Sequence, residues 1–108
     1  PAVSLRRAGE GLVIYAGTYL TAPVFEALLK EIQARRPITK AWPYAPAGVQ
    51  TVCRRNDEKE VWFFINVSDA PALIEKLPEG GHDLVADRPA AGPLTLAPND
   101  VAVILRSR

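Results

Sequence analysis

The spacing of apolar residues along the first forty positions changes once. Two short apolar stretches, Val3 to Arg7 and Leu12 to Tyr15, flank a glycine-bearing turn, and this pattern predicts a β-hairpin. After Gly17, apolar side chains recur at helical spacing until a proline stops the pattern. We predict an amphipathic helix that is capped by Thr21 and ends near Arg35. Its apolar face consists of Val24, Phe25, Leu28, Leu29 and Ile32, and we predict that this is an assembly face, which packs on protein and not on a ligand.

The next stretch, "RPITKAWPYAPAG", carries three prolines and ends at Gly48. Each proline biases the residue before it toward extended backbone, so this stretch predicts a connector that runs along a surface. We place a module boundary within it. The hairpin and helix then form one module, and the short strands that follow form another.

From Gly48 onward, short apolar stretches alternate with turn signals. "VQTVCRR" and "EVWFFINVS" flank the polar turn "NDEK" and predict a hairpin. "VWFFI" is apolar at every position, which predicts a central strand with Val61, Phe63 and Ile65 on one side and Trp62 and Phe64 on the other. Four further strands follow, in "ALIEKL", "DLVA", "LTLAP" and "VAVILRSR". The predicted fold class is mainly β, with a small antiparallel sandwich or barrel behind the hairpin and helix.

Composition and charge narrow the classes of partner. The 108 residues are 48% hydrophobic and 23% charged, and no apolar run approaches the length of a membrane helix. The net charge is +1 with scattered basic residues, so we expect neither a nucleic-acid nor a membrane partner. The lone Cys53 cannot form an internal disulfide. This fits a reducing compartment, and we expect a cytoplasmic protein.

The loop "AGTYLT", around Gly17 and Thr18, follows a strand and opens a helix, which is where backbone N–H groups can hold an anion. It lacks the lysine and the glycine cluster of a phosphate-binding loop. The pair Gly9 and Gly11 precedes a strand, whereas a dinucleotide-binding loop needs its glycines after one. We therefore favour a structural turn over an anion site, and we predict no cofactor.

Residues that could perform nucleophilic or metal chemistry are few. Cys53 alternates with Val52 on a predicted strand, and a lone cysteine there is usually a buried small hydrophobic residue. The only histidine, His82, is followed by Asp83, but sequence neighbours usually point apart and no nucleophile completes the set. One cysteine and one histidine are too few for zinc. We predict no catalytic residue and no metal.

The acidic residues are candidates for a sugar-hydrolysing site, because sugar hydrolysis needs two carboxylates in one cleft, and the aromatic residues are candidates for sugar binding. The carboxylates fall in predicted turns, where solvation is the usual role; they include Asp57, Glu58, Asp69, Glu79, Asp87 and Asp100. Trp42, Tyr44 and Trp62 could stack on a sugar ring. Packing against a neighbouring domain is the commoner role of large aromatic residues near a connector, and we favour it here.

Four segments, taken in order, carry a family resemblance: "GEGLVIYAGTYL" before the helix, "GVQTVCRRNDEKEVWFFINVSDAPALIEKL", "GGHDLVA" and "LTLAPNDVAVIL". Together they resemble the C-terminal portion of glycoside hydrolase family 42 β-galactosidases over nearly the whole chain. Departures exist: Val67 stands where many relatives have histidine, and "VADRPAAG" replaces their Leu-Thr-Gly-type turn.

The resemblance implies that residues 1–40 are the closing hairpin and last helix of an amidotransferase-like α/β domain that carries trimer contacts, and that residues 46–108 are the small all-β domain. It also implies that the two catalytic glutamates lie on a (β/α)₈ barrel with no counterpart in these residues. The expected function is a non-catalytic C-terminal segment of a β-galactosidase, and the expected partners are the barrel, the middle domain and further copies in a homo-oligomer. A stand-alone carbohydrate-binding or dimerising β-domain is the alternative.

Overall fold

The computed structural model describes residues 2–108, and these divide into two compact units. The N-terminal unit extends to Ile38, and the C-terminal unit comprises Thr39–Arg108. They differ in how deeply their side chains are buried. None of residues 2–38 is buried, whereas the C-terminal unit contains a continuous core.

The N-terminal unit consists of the hairpin and helix that the sequence predicts. Strand β1 (Val3–Ala8) pairs antiparallel with β2 (Gly11–Ala16). Gly9 has a φ of +60° in the two-residue turn, a backbone conformation that glycine adopts without a steric penalty. Helix α1 spans Ala22–Arg35, and its apolar residues recur on one side.

The ends of α1 agree with the prediction in position but not in every contact. Thr21 occupies the N-cap position with an extended backbone, yet its side chain forms no capping hydrogen bond, so the predicted cap interaction is wrong. At the other end, the Arg35 guanidinium lies 2.6 Å from a Glu31 carboxylate oxygen one turn earlier. Such exposed pairs contribute only about 0.3–0.5 kcal/mol.

The C-terminal unit is an antiparallel all-β structure, as predicted. Its strands are β3 (Val49–Arg55), β4 (Lys59–Asn66), β5 (Ala72–Ile74), β6 (His82–Asp83), β7 (Arg88–Pro89), β8 (Leu94–Leu96) and β9 (Val101–Ser107). Five of them form one sheet in the order β3-β4-β9-β6-β7, and β5 pairs with β8 in a second, two-stranded sheet. Strand β4 therefore lies between two neighbours, which confirms the predicted central strand.

The core lies on one face of the large sheet, which we call the inner face. Trp62 and Phe64 of β4 and Ile104 of β9 share this face and pack with Ile74 and Leu96 of the two-stranded sheet. Alternation along each strand sends the remaining side chains to the opposite, outer face. There, Val61, Phe63 and Ile65 stay partly exposed, so the two sides of "VWFFI" are occupied as predicted but buried unequally.

Asn66 closes one end of this core at the last residue of β4. Its side chain is fully buried, and its amide nitrogen lies 2.8 to 3.2 Å from three carbonyl oxygens, those of Ala70, Leu96 and Ala97. Its amide oxygen accepts hydrogen bonds from the backbone N–H and the hydroxyl of Ser68. One side chain thus joins the end of β4, the loop that follows it and the end of β8.

The short strands differ from the prediction. The sequence predicts six strands in this unit and seven are present, because "DRPAAGP" contributes β7 and is not wholly a turn. Pro89 fits there since β7 is an edge strand, where a missing N–H costs no ladder bond. The "DLVA" strand is replaced by β6 and a turn, because an Asp83 carboxylate oxygen accepts the N–H groups of Val85 and Ala86.

Candidate functional site

The three aromatic residues singled out in the sequence lie together in the C-terminal unit. The ring centroid of Trp42 is 5.0 Å from that of Trp62 and 6.0 Å from that of Tyr44, both in edge-on geometry. The indole N–H of Trp42 donates to the backbone carbonyl of Lys76 at 2.8 Å, which fixes the connector against the loop after β5. Trp62 is only 8% exposed. It therefore serves the core and offers no open face for stacking.

Trp42 and Tyr44 also line a hollow of about 430 Å³ together with Glu75, Glu79 and Arg106. Tyr44 is 42% exposed, but the ammonium group of Lys76 lies 4.9 Å from the centre of its ring. A cation at this distance occupies a ring face that a sugar would need. The hollow combines an aromatic wall with charged groups, which is a chemistry that can bind polar ligands.

Glu60 is a buried carboxylate on the inner face, next to this aromatic cluster. The indole N–H of Trp62 donates to it at 2.9 Å, and the Arg106 guanidinium donates to the same oxygen. The Trp62 hydrogen bond is the main cause that lowers the pKa of Glu60, and the hydrogen bond and charge of Arg106 and the charge of Arg108 lower it further. These effects outweigh burial, which alone would raise the pKa. Glu60 is thus held ionised.

The side chains of the predicted assembly face of α1 differ in how exposed they are. Val24, Leu28 and Ile32 are half-buried, whereas Phe25 is 50% and Leu29 is 40% exposed. The N-terminal unit also has a hollow of about 630 Å³ between helix and hairpin. Its lining includes four apolar residues and three cations: Leu5, Leu12, Ile14, Ile32, Arg7, Arg35 and Arg36. Apolar surface is therefore available on both elements of this unit.

The loop around Gly17 has the internal bonding of a structural turn. The N–H of Gly17 donates to the carbonyl of Ala2 at 2.7 Å, and the N–H of Thr21 donates to the carbonyl of Tyr19 at 3.1 Å. Two of the N–H groups that an anion site would use are thus already bonded. This bonding favours the turn that the sequence predicts.

Cys53 and His82 do not form a reactive pair. Cys53 is half-buried and packs against the core, as a small hydrophobic residue does. His82 and Asp83 point apart, as expected. The Nε2 atom of His82 lies 2.9 Å from a carboxylate oxygen of Asp87, a partner that the sequence did not suggest. Within residues 2–108, no three ligating side chains come close enough to hold a metal.

The carboxylates predicted to lie in turns do so. All six are exposed and fall outside the strands; they are Asp57, Glu58, Asp69, Glu79, Asp87 and Asp100. The two buried carboxylates are Glu60 and Asp83. Asp83 accepts two backbone N–H groups, and Glu60 accepts the indole and guanidinium bonds described above. Both carboxylates therefore stabilise the fold through these hydrogen bonds.

Residues 48–106, which include the seven strands of the C-terminal unit except the last residue of β9, match the family described as "Beta-galactosidase C-terminal domain". The chain belongs to this family. The match begins at Gly48, just before β3, and covers the sheet, the core and the Asn66 corner.

Individual relatives agree with this assignment of a β-galactosidase C-terminal domain. The chain is 30% identical over 106 residues to β-galactosidase LacZ of Heyndrickxia coagulans, an alignment that covers 96% of this chain and 15% of that protein. The crystal structure of a β-galactosidase from Bacillus circulans sp. alkalophilus has a TM-score of 0.68 at 18% identity, covering 98% of this chain and 16% of that one. Gan42B, a GH42 β-galactosidase from G. stearothermophilus, has a TM-score of 0.67 at 22% identity, covering 100% and 16%.

These matches confirm the resemblance to the C-terminal portion of family 42 β-galactosidases. The two structural likenesses establish the fold, and the chain spans about 15% of the length of the curated relative. No helix in residues 2–108 has the length and apolarity that crossing a membrane requires.

The sequence reasoning missed Glu60 in this β-galactosidase C-terminal domain, although a signal was present. Glu60 lies two residues before Trp62 and four before Phe64 on β4. Side chains separated by an even number of residues on a strand point to the same face, so Glu60 shares the face of these two aromatic residues. The residue type gives no such signal, because a glutamate at the end of an apolar strand normally reaches solvent. The bond to Trp62, two residues along the same face, keeps it inside.

Proposed function

We propose that this chain acts as the non-catalytic C-terminal segment of a family 42 β-galactosidase, an enzyme that hydrolyses terminal β-D-galactosides. In this proposal, the chain packs against the rest of the enzyme and contributes to its assembly. We use "parent enzyme" for the longer polypeptide that carries these residues at its C-terminal end. The observation that carries the proposal is the family match over residues 48–106.

The state of the carboxylates supports a non-catalytic role. Glycoside hydrolysis uses two carboxyl groups that face one bond across a cleft. In residues 2–108, the buried carboxylates Glu60 and Asp83 are bonded within the fold. The turn carboxylates are spread over exposed loops. The chemistry is therefore assigned to a barrel elsewhere in the parent enzyme.

For the N-terminal part, we propose that residues 1–40 belong to an amidotransferase-like α/β domain that contributes to a homo-oligomer, a trimer in the parent enzyme. The exposed apolar surface of α1 supports this, since such a helix normally covers a sheet. We also propose a cytoplasmic location, on the grounds of the single unpaired Cys53.

Activity assays test the proposal directly. The purified 108-residue chain should give no turnover of p-nitrophenyl β-D-galactoside, whereas the parent enzyme should hydrolyse it. Removing residues 39–108 from the parent enzyme should lower its thermal stability or its oligomer content. Turnover by the chain alone, co-purifying with it through successive columns, would contradict the proposal.

A carbohydrate-binding role is the second candidate, and the hollow beside Tyr44 is the observation in its favour. Calorimetric titration of the chain with galactose and with a galactan tests it. Saturable binding that disappears in Tyr44→Ala, with an unchanged melting curve, would support this role. We choose Tyr44 over Trp62 because Trp62 is buried, and its removal would disturb the core.

A further inference from the structure

The outer face of the large sheet is apolar across its three longest strands. We define it by seven residues that cross-strand pairing places side by side: Val52 of β3, Val61, Phe63 and Ile65 of β4, and Val101, Val103 and Leu105 of β9. All seven are at least partly exposed, and none packs against the core cluster. An antiparallel sheet with one solvated face normally carries polar side chains there. A contiguous apolar face instead indicates contact with protein.

Two cations, Arg54 and Lys59, lie at positions that belong to the outer face, and none of the positions paired across this face is a carboxylate. Arg54 lies opposite Val61, and Lys59 lies two residues before Val61, so both cations sit at the same end of this face. The salt bridges within residues 2–108 include neither of them. Asp57 and Glu58 lie in the turn between the two strands and form no salt bridge with either cation, and Glu60, next to Lys59, is on the inner face and pairs with Arg106. Adjacent like charges without a counter-ion favour an anionic partner.

A hollow at the same end offers room for such a partner group. It has a volume of about 400 Å³, and its lining includes Lys59, Gly81, Leu105 and Ser107. Leu105 also belongs to the outer face, so the apolar surface continues into the hollow. The ammonium group of Lys59 and the hydroxyl of Ser107 are donors that suit a carboxylate.

We propose that the outer face is the surface through which this domain docks on another domain of the parent enzyme, one that presents apolar side chains bordered by aspartate or glutamate. This rests on the proposed function, and it names the face and the chemistry of the contact. A second copy of this chain is a less suitable binding partner for the outer face. The same face on another copy again places Arg54 and Lys59 on the surface, and its paired positions contain no carboxylate; carboxylates occur only in the adjoining turn, at Asp57 and Glu58.

Photo-crosslinking in the parent enzyme tests which surface is covered. p-Benzoylphenylalanine in place of Phe63 should crosslink to residues upstream of Pro1, at a site that mass spectrometry maps next to an acidic residue. The same amino acid in place of the exposed Val85, outside the outer face, should give little crosslinking. A crosslink from position 63 to residues 2–108 of another copy, or none at all, would overturn the proposal.

A charge reversal supplies the matched control. Arg54→Glu should reduce the crosslinking yield from position 63 about fivefold, because like charges across an interface are unfavourable. Lys30→Glu makes the same kind of change at an exposed position of α1, outside the outer face, and should leave the yield unchanged. Equal effects of the two variants, or no effect of Arg54→Glu, would count against the proposal.

These outcomes are separate from those of the activity assay. A parent enzyme that hydrolyses the galactoside but gives no crosslink from position 63 would leave the proposed function intact and remove the docking surface. A parent enzyme without β-galactosidase activity that still crosslinks to an acidic, apolar site would remove the function and keep the surface.

Discussion

Glu60 holds a negative charge on a sheet face whose neighbouring side chains are mostly apolar. Because its folded pKa is lowered below the ordinary 4.5, its charged form stabilises the fold above pH 4.5, and this stabilisation is lost as the pH falls through the lowered pKa. We predict that the melting temperature of the wild-type chain is higher than that of Glu60→Gln near pH 7 and that this difference decreases below pH 4.5. Thermal melts of both chains from pH 7 down to pH 3 measure the difference.

A second variant checks the cause of this effect. Trp62→Phe keeps an aromatic ring in the core but removes the N–H that does most to lower the pKa of Glu60. The pH dependence of melting should therefore be weaker in Trp62→Phe than in the wild-type chain. Identical pH profiles for the wild-type chain and Glu60→Gln would show that this carboxylate does not stabilise the fold.

Gly48 and Gly80 form a matched pair for separating backbone strain from steric conflict. Both have positive φ, +85° and +71°, but a Cβ added at Gly48 would lie 2.9 Å from Cβ of Ser68, whereas nothing lies within 4 Å at Gly80. Alanine should cost about 1–2 kcal/mol at either position through backbone strain. Gly48→Ala should cost about 1 kcal/mol more through the clash. Urea unfolding measures both, and equal losses would exclude the clash.

At the scale of elements, α1 is a helix with apolar side chains and no buried residue. Phe25 and Leu29 are its most exposed large apolar side chains. We predict that Phe25→Ser with Leu29→Ser lowers concentration-dependent association of the chain and its binding of a hydrophobic dye. The free energy of unfolding should change by no more than about 0.5 kcal/mol, because exposed sites contribute little.

Light scattering during gel filtration measures the association. A polar substitution of similar size at a half-buried position, Leu28→Ser, is the comparison and should destabilise the unit. If the double variant associates as much as the wild-type chain, this part of α1 is not the adhesive surface.

The elements that could be predicted from the sequence are those whose pattern is long enough to show a period. Helix α1 and the hairpin of β3 and β4 extend over seven or more residues each, and both are present. The two-residue strands β6 and β7 could not be predicted, because pairing with neighbours creates them and local preference does not.

The candidate site was predictable to a smaller extent. The aromatic types of Trp42 and Trp62 indicated packing, but their meeting across the connector is a tertiary contact with no local signature. The role of Asn66 was equally hidden, since its partners Leu96 and Ala97 lie thirty and thirty-one residues away in the chain. Thr21 shows the opposite error: the residue type suits a cap, yet no capping bond forms.

For the molecule as a whole, the two units should differ in independent stability. The core residues Trp62, Phe64, Ile74 and Ile104 all belong to the C-terminal unit, while residues 2–38 bury none of their side chains. We predict that a chain of residues 39–108 keeps a cooperative melting transition close to that of the full chain. A chain of residues 1–38 should show no such transition, because a hairpin and one helix lack a core.

Circular dichroism melts of the two shortened chains and the full chain measure this difference. Loss of cooperative melting in residues 39–108 would mean that the hairpin and helix contribute to the stability of the C-terminal unit. Limited proteolysis offers an independent reading, since cleavage should start within residues 2–38 and spare the sheet.

The placement of the two tryptophans has a spectroscopic consequence. Trp42 and Trp62 are the only tryptophans of the chain, and both lie in the C-terminal unit with their rings 5.0 Å apart. Emission excited at the red edge of indole absorption will therefore follow the unfolding of that unit alone. The N-terminal unit contains Tyr15, Tyr19 and Phe25 but no tryptophan. A denaturation curve recorded by tryptophan fluorescence therefore does not report the unfolding of the hairpin or the helix.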